Sequence, residues 1–297
     1  MNTDEAERLL SISPDHKVLK RIPRATAWGL RSTSDKVLRG VYVDVETTGL
    51  SESDEVIELA LLPFEYERDT GVVARVLENE AYSALRQPSL PIPEASILIH
   101  GITNEDVAGQ VVDAPRVETI VKSANIVLAH NAAFDRPMVE KHWPVFERSN
   151  WACSLVDVDW RAEGMGSGKL DYLLMNFGWF YDSHRALTDA LAGVFLLSRT
   201  LPKSGSPALD ALLTCARRPL KAVRAEGAAF EAKEALKQRG YRWDPGNQER
   251  SKAWWILTED ADSEIAWLNT AIYSTPRDIQ PVDVPPTRRF TSRLWGA

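Results

Sequence analysis

A formal net charge of −7 over 297 residues argues against a protein that coats nucleic acid by charge alone, although an acidic metal site would add to the same negative count. Cys153 and Cys215 lie far apart without metal-ligand spacing, which excludes a disulfide framework and gives no zinc site; both fit small packed apolar groups. The length suits one large domain plus a smaller one.

Residues 1–37 read as an N-terminal helical extension, with Glu7–Leu10 and Val18–Ile22 as its helical pieces and Pro14 and Pro23 as interruptions. Met1 to Leu10 carries Asp4, Glu5 and Glu7 rather than a signal peptide, and no apolar run approaches the ~20 residues that span a bilayer. A cytoplasmic protein without membrane contact is expected. The run Val41-Tyr42-Val43-Asp44-Val45-Glu46 then reads as a strand. Successive side chains on a strand alternate, so Val41, Val43 and Val45 enter a core while Asp44 and Glu46 leave the other face together. Two like charges side by side are costly unless a cation sits between them, and hard oxygen ligands suit Mg²⁺ or Mn²⁺. Two solvated acids on a surface strand are the alternative.

Strands at 40–46, 56–66 and 71–82 precede a loop with Pro88, Pro91 and Pro93. Helices follow near 104–108 and 115–123. Ile126–Ala129 is a buried strand running through His130-Asn131-Ala132-Ala133-Phe134-Asp135 into a helix, and Asp135 falls on its first turns. A strand near 151–158 and helices near 169–177 and 185–199 complete the order. His184-Arg185-Ala186-Leu187-Thr188-Asp189 opens the last of these and places a histidine and an acid about one turn apart. Three strands able to pair antiparallel, then alternating helices and strands, indicate an α/β fold with a mixed central sheet flanked by helices. Read singly, Asp135 is also an acid favoured by a helix N-terminus, Asp189 an exposed helix acid, and His184 a surface histidine.

Taken in order, D-x-E at 44–46, N-x-x-F-D at 131–135 and H-x-A-x-x-D at 184–189 resemble the three motifs of the DEDDh, or DnaQ-like, 3'-5' exonucleases of the ribonuclease H-like superfamily. The resemblance covers residues 38 to about 200. It implies a ribonuclease H-like fold and a metal-dependent hydrolase that releases nucleoside 5'-monophosphates from a free 3' end. It implies four metal-binding carboxylates, Asp44, Glu46, Asp135 and Asp189, holding two divalent ions, Mg²⁺ or Mn²⁺. It further implies His184 as general base, with Glu46 counted beside it as catalytic. Thr47, Thr48, Leu50, His100, Asn131 and Phe134 stand where the family meets the terminal nucleotide; for His100, a turn or capping role is the alternative. Thr103 with Asp106 suits a capping box. DNA, single-stranded at its end, in repair or end processing is the substrate expected, with an RNA exonuclease or a proofreading or assembly subunit as alternatives.

The exonuclease domain is expected over 38–202, a linker over 203–218 around Leu201-Pro202-Lys203-Ser204-Gly205-Ser206-Pro207, and a small α+β accessory domain over 219–297. Residues 211–252 carry ten basic against five acidic side chains, which makes them the basic part of an acidic chain. A hairpin turning at Asp244-Pro245-Gly246-Asn247 is expected between helices at 228–239 and 260–273. Tyr241, Trp243, Trp254 and Trp255 among these charges suit a single-strand platform, or else fill a small core. Neighbours alternate on a strand, so Trp254 and Trp255 cannot share a face, and one should point outward or into an interface. A protein partner for this domain or for the N-terminal extension is also expected.

Overall fold

A computed structural model describes residues 2–248 and 250–295. The chain divides into two compact units, one ending at Ala216 and one beginning at Arg217.

In the larger unit, α1 (Thr3–Ser11) is capped by the Asn2 side chain, which accepts from the Glu5 N–H. The second helical piece expected in the extension is instead β1 (Lys20–Arg21), which pairs parallel with Trp179–Phe180. The central sheet is built from β2 (Val37–Thr47), β3 (Val56–Glu67), β4 (Val73–Val76) and β5 (Tyr82–Leu85). α2 (Glu94–His100) lies in the segment expected as a proline-rich loop, with Pro93 as its N-cap. α3 (Asn104–Val107) has the capping box of Thr103 and Asp106. Then come α4 (Ala114–Lys122), β6 (Ile126–Ala129), α5 (Ala132–Glu140), β7 (Trp151–Cys153), α6 (Leu170–Asn176), β8 (Trp179–Phe180), α7 (Ala186–Leu197) and α8 (Ala208–Ala216). The strand order β4-β3-β2-β6-β7, with β5 also on β3, is mixed: β3 runs antiparallel to β2, and β6 and β7 run parallel. This is the ribonuclease H-like layout of a mixed sheet flanked by helices.

Both faces of β2 are covered, and this positions the site. Val41, Val43 and Val45 are buried on one face as their alternation requires, but Tyr42, on the face of Asp44, is also fully buried. It belongs to the core formed with Leu62, Phe64, Leu128 and the apolar side of α7. Helix α7 reaches the sheet because Gly193 has no side chain: a Cβ there would stand 2.2 Å from the Tyr42 ring. Tyr42 is pinned from below through a 2.8 Å bond to the Ser154 hydroxyl, which also meets His130 Nδ1 at 2.8 Å. His130 Nε2 donates to the Gly168 carbonyl, 2.8 Å away, which fixes the tautomer with Nδ1 as acceptor. Burial holds this histidine down to about 4, so it is neutral and structural at pH 7.

Residues 208–216, expected within a linker, form α8, and its Leu209, Leu212 and Leu213 are buried in the same core as Tyr42 and α7. The glycine, serine and proline residues mark a break in composition, but the apolar face that follows belongs to the larger unit.

The smaller unit has a sheet of β9 (Leu220–Glu226), β10 (Arg242–Asp244), β11 (Ala253–Thr258) and β12 (Val282–Val284) in the order β10-β11-β9-β12, all antiparallel. α9 (Lys233–Gln238) and α10 (Ala261–Trp267) accompany it, the second running into a π turn at Leu268–Ile272. Trp254 and Trp255 take opposite faces, as strand geometry demands, yet neither is left outward. Trp254 packs with Val223, Tyr241 and Leu268; Trp255 joins Ala222, Val284 and Leu294 in a second small core, with its ring 5.3 Å from that of Trp295. The basic excess is largely spent inside the unit: Asp244 takes Arg224 and Arg250, Glu264 takes Arg239, and Glu259 takes Arg218. Trp243, on the edge strand, keeps 49% of its surface exposed.

Two stability predictions follow from the larger unit. Gly193→Ala forces the Tyr42 ring or α7 to move, and overpacking of this kind costs about 1–3 kcal/mol; a thermal midpoint equal to wild type would show that the contact is loose. The buried Glu67 carboxylate accepts from Thr70 Oγ1, Thr33 N, Ser32 Oγ and Ser34 N at 2.5 to 3.2 Å, which hold it down to about 2. The folded value lies below the ordinary 4.5, so this stabilisation is complete above that pH and is lost as pH falls toward 2. The stability gap between wild type and Glu67→Gln should therefore be widest near neutrality and close between pH 5 and 2.

Candidate active site

Four carboxylates come from three elements. Asp44 and Glu46 leave the α7 side of β2 near its end, where the ladder with β3 shifts register between Glu46 and Thr47. Asp135 sits on the first turn of α5, and Asp189 on the first turn of α7. Asp44, Glu46 and Asp189 converge: one oxygen from each lies within 4.8 Å of the other two. Asp135 is buried, with 4% of its surface exposed, and its carboxyl lies against the Val45 N–H and close enough to Glu46 and Asp189 to feel their charge.

Their electrostatics are unfavourable. Burial first, then the charges of Asp135, Asp189, Glu46 and Glu58, pushes Asp44 well above the usual carboxylate range. Burial and the charges of Asp189 and Glu58 push Glu46 up to about 8, with Arg185 pulling the other way. Asp135 is likewise raised well above its ordinary value, burial outweighing the backbone N–H groups that favour its charged form. Asp189 is raised by burial, opposed by bonds from Tyr181 Oη at 2.8 Å and Arg185 N at 3.0 Å. A cluster of oxygen donors that repel one another is the donor set a hard divalent cation neutralises, with no sulfur or imidazole in it to favour zinc.

Glu58 was not singled out from the sequence and is central to this geometry. It stands opposite Glu46 in the β2–β3 register and is buried. Arg185 donates to it through Nε at 3.2 Å and Nη2 at 2.9 Å, and the Ala186 N–H adds a bond of 3.0 Å. A strand acid thereby fastens the first turn of α7 onto the sheet, and Asp189 with it. The signal was visible: Glu58 is the one charge in the apolar run Val56–Phe64, and a buried charge needs a partner. Tyr181, the other neighbour missed, sits in an ordinary loop and had no such mark.

His184 is exposed and adopts a φ of +71°, a left-handed conformation uncommon for a residue with a side chain. Asp189 feels both its ring and its backbone N–H. Asn131 is also left-handed, at φ +84°, and exposed at the start of α5 without a side-chain capping bond; Phe134 beside it is half-buried. Leu50 is 86% exposed. The hydroxyls of Thr47 and Thr48 turn into their own loop, donating to the Gly49 carbonyl at 2.6 Å and to Asp54 at 2.9 Å. His100 is buried; its Nδ1 accepts from the Ile102 N–H at 3.0 Å, and among the described residues its Nε2 makes no hydrogen bond within normal geometry. Its ring feels the charges of Glu58, His184 and Arg185, so it borders the carboxylate cluster.

Among the described residues no helix is long and apolar enough to cross a membrane. A DNA polymerase III subunit epsilon-like protein of Rhodobacter capsulatus is 33% identical over 103 residues, covering 32% of this chain; this chain spans only 13% of that relative's length. Among solved structures, exonuclease X in complex with 5' overhanging duplex DNA aligns at a TM-score of 0.43 and 22% identity, over 60% of this chain and 99% of that one. Exonuclease I of E. coli in complex with a dA16 oligonucleotide aligns at a TM-score of 0.48 and 15% identity, over 75% and 63%. The sequence model of the exonuclease family RNase_T matches residues 41–197, more than half of the chain, from within β2 to the end of α7. The chain therefore belongs to the RNase_T exonuclease family, the DnaQ-like nucleases of ribonuclease H-like fold.

Proposed function

We propose that the protein is a 3'-5' exonuclease that removes nucleotides one at a time from a free 3' end of DNA, single-stranded at that end. The observation that carries this reading is the convergence of Asp44, Glu46 and Asp189 within 4.8 Å next to the exposed His184. The choice of DNA leans on the name of the epsilon-like relative.

Asp44, Glu46, Asp135 and Asp189 are the residues to hold two divalent ions, Mg²⁺ or Mn²⁺, which when bound lower the pKa of an attacking water and offset charge on the leaving 3'-oxygen. His184 takes the proton from that water, a task suited to imidazole because its ordinary pKa lies near the working pH. The water oxygen bonds to phosphorus, the bond from phosphorus to the 3'-oxygen of the preceding nucleotide breaks, and that oxygen leaves as the new 3'-hydroxyl. The released nucleotide keeps the phosphate on its 5' side. Leu50, exposed on the loop after β2, offers an apolar surface to the terminal base, with Asn131, Phe134 and His100 as further contacts. Since the hydroxyls of Thr47 and Thr48 are committed to their loop, their part is to shape that loop. Glu58 and Arg185 act at one remove, by fixing where His184 and Asp189 stand.

A 5'-labelled single strand incubated with protein and Mg²⁺ or Mn²⁺ should give a ladder shortening from the 3' end. Asp44→Asn should reduce digestion to the level of wild type in EDTA, and undiminished digestion in EDTA would sink the assignment. Matched RNA and duplex DNA run in parallel decide the sugar and strand preference.

His184→Ala should still bind Mn²⁺ and single-stranded DNA while the chemical step slows by about 10²- to 10⁴-fold, the range for a lost general base. A wild-type rate in that variant would take the role away from His184.

A further inference from the structure

Arg199 follows the far end of α7, about 15 Å from Asp189 at the rise of a helix. Its guanidinium lies over the Phe195 ring, 4.2 Å from the centroid, and Nε and Nη2 donate to one neutral acceptor, the Ser198 hydroxyl, at 3.1 and 2.8 Å. The group is half-buried, removal from water lowers its pKa, and among the described residues it has no carboxylate partner. A guanidinium taken partly out of water without an anion is an unfavourable arrangement. It lines a cavity of about 340 Å³ formed by residues 28–31, 72–73, 197–200 and Pro207. Arg31 lines the same cavity and, among the described residues, has no carboxylate partner either. The lining contains two arginines and no acid, in a chain whose net charge is −7.

The backbone of this cavity has a matching feature. Trp28 is right-handed helical, at φ −75° and ψ −7°, and Gly29 follows at φ +68°. Successive residues of these two hands can gather their N–H groups into a concavity that binds anions; here the Trp28 N–H donates to the Ala25 carbonyl at 3.1 Å, which leaves those of Gly29 and Leu30 for a ligand. Among the described residues the N–H groups of Gly29 and Leu30 have no acceptor, and a Cβ on Gly29 would meet nothing within 4 Å. The cradle is open.

We propose that this cavity is a second anion site that binds a phosphate group, separate from the catalytic carboxylates. Forked guanidinium donors match phosphate oxygens in pairs, and the volume falls in the range of small-ligand pockets, about 300–1,000 Å³, large enough for the group to arrive on a nucleotide. The phosphate itself is argued from the arginines and the backbone; that it comes on a nucleotide or a nucleic acid strand rests on the nuclease reading.

The test is binding to the full chain in EDTA, followed by thermal shift and calorimetry, with three probes: inorganic phosphate, thymidine 5'-monophosphate and a short oligothymidylate. Saturable binding of at least one probe is expected, weakened about tenfold by Arg31→Gln or Arg199→Gln, the scale of one lost charged hydrogen bond. Loss confined to the oligothymidylate assigns the site to a phosphate of a strand; loss with thymidine 5'-monophosphate assigns it to a free nucleotide. Arg31 is exposed, so Arg31→Gln tests the site even if replacing Arg199 unsettles α7. Equal binding of all three probes by wild type and Arg31→Gln would overturn the proposal, and would do so whether or not the protein digests DNA.

Discussion

Mutual repulsion among Asp44, Glu46, Asp135 and Asp189 is the constraint that the larger unit is built to withstand. Each carboxyl is raised in pKa mainly by its removal from water, and for Asp44, Glu46 and Asp135 the charge of neighbouring acids adds to the effect. Such a cluster falls apart unless its supports are stiff. The supports are a strand buried on both faces, a helix laid on Tyr42 across Gly193, and the buried Glu58 that fastens the first turn of α7 through Arg185 and Ala186. The same crowding suits the cluster to a divalent cation, because a bound cation would relieve the repulsion that folding imposes. The left-handed backbone at His184 and Asn131 fits this picture: strained residues bracket the cluster where the surrounding packing can hold them.

Much of this was legible in the sequence, for identifiable reasons. The β2 alternation and the two helix entries are local patterns, and local patterns fix which side of an element a carboxylate leaves. What a strand's second face meets is not local. Tyr42 reads as a surface aromatic until α7, some 150 residues later, covers it, and Glu58 reads as a stray strand acid until Arg185 arrives. The fate of the Thr47 and Thr48 hydroxyls turns on Gly49 and Asp54, a loop closure that motif spacing does not encode. Helix α8 was lost behind a run of glycine, serine and proline that marks a turn rather than a domain boundary.

The smaller unit shows how composition misleads when pairing is unknown. Ten basic residues and several aromatics suggested an open platform, but Asp244 and Glu264 draw three of the arginines inward, and the tryptophans divide between two small cores. Trp243 on the edge strand with Arg242 beside it, over the Trp255 ring at 5.9 Å, and the exposed Phe230 with Lys233 over its ring are parts of the surface that composition implied. In the larger unit, Arg31 and Arg199 line one cavity without a carboxylate partner among the described residues, where no charge run announced them.

On the proposed reading, Asp44, Glu46, Asp135 and Asp189 act together to hold two divalent ions. Mn²⁺ titration of the full chain, read by the loss of the free-ion paramagnetic signal, tests this without reference to any substrate. Two Mn²⁺ ions bound per chain, with binding severely weakened in Asp189→Asn while circular dichroism shows an intact fold, is the result the structure predicts. Equal Mn²⁺ binding by wild type and the folded variant, or none by either, would contradict it.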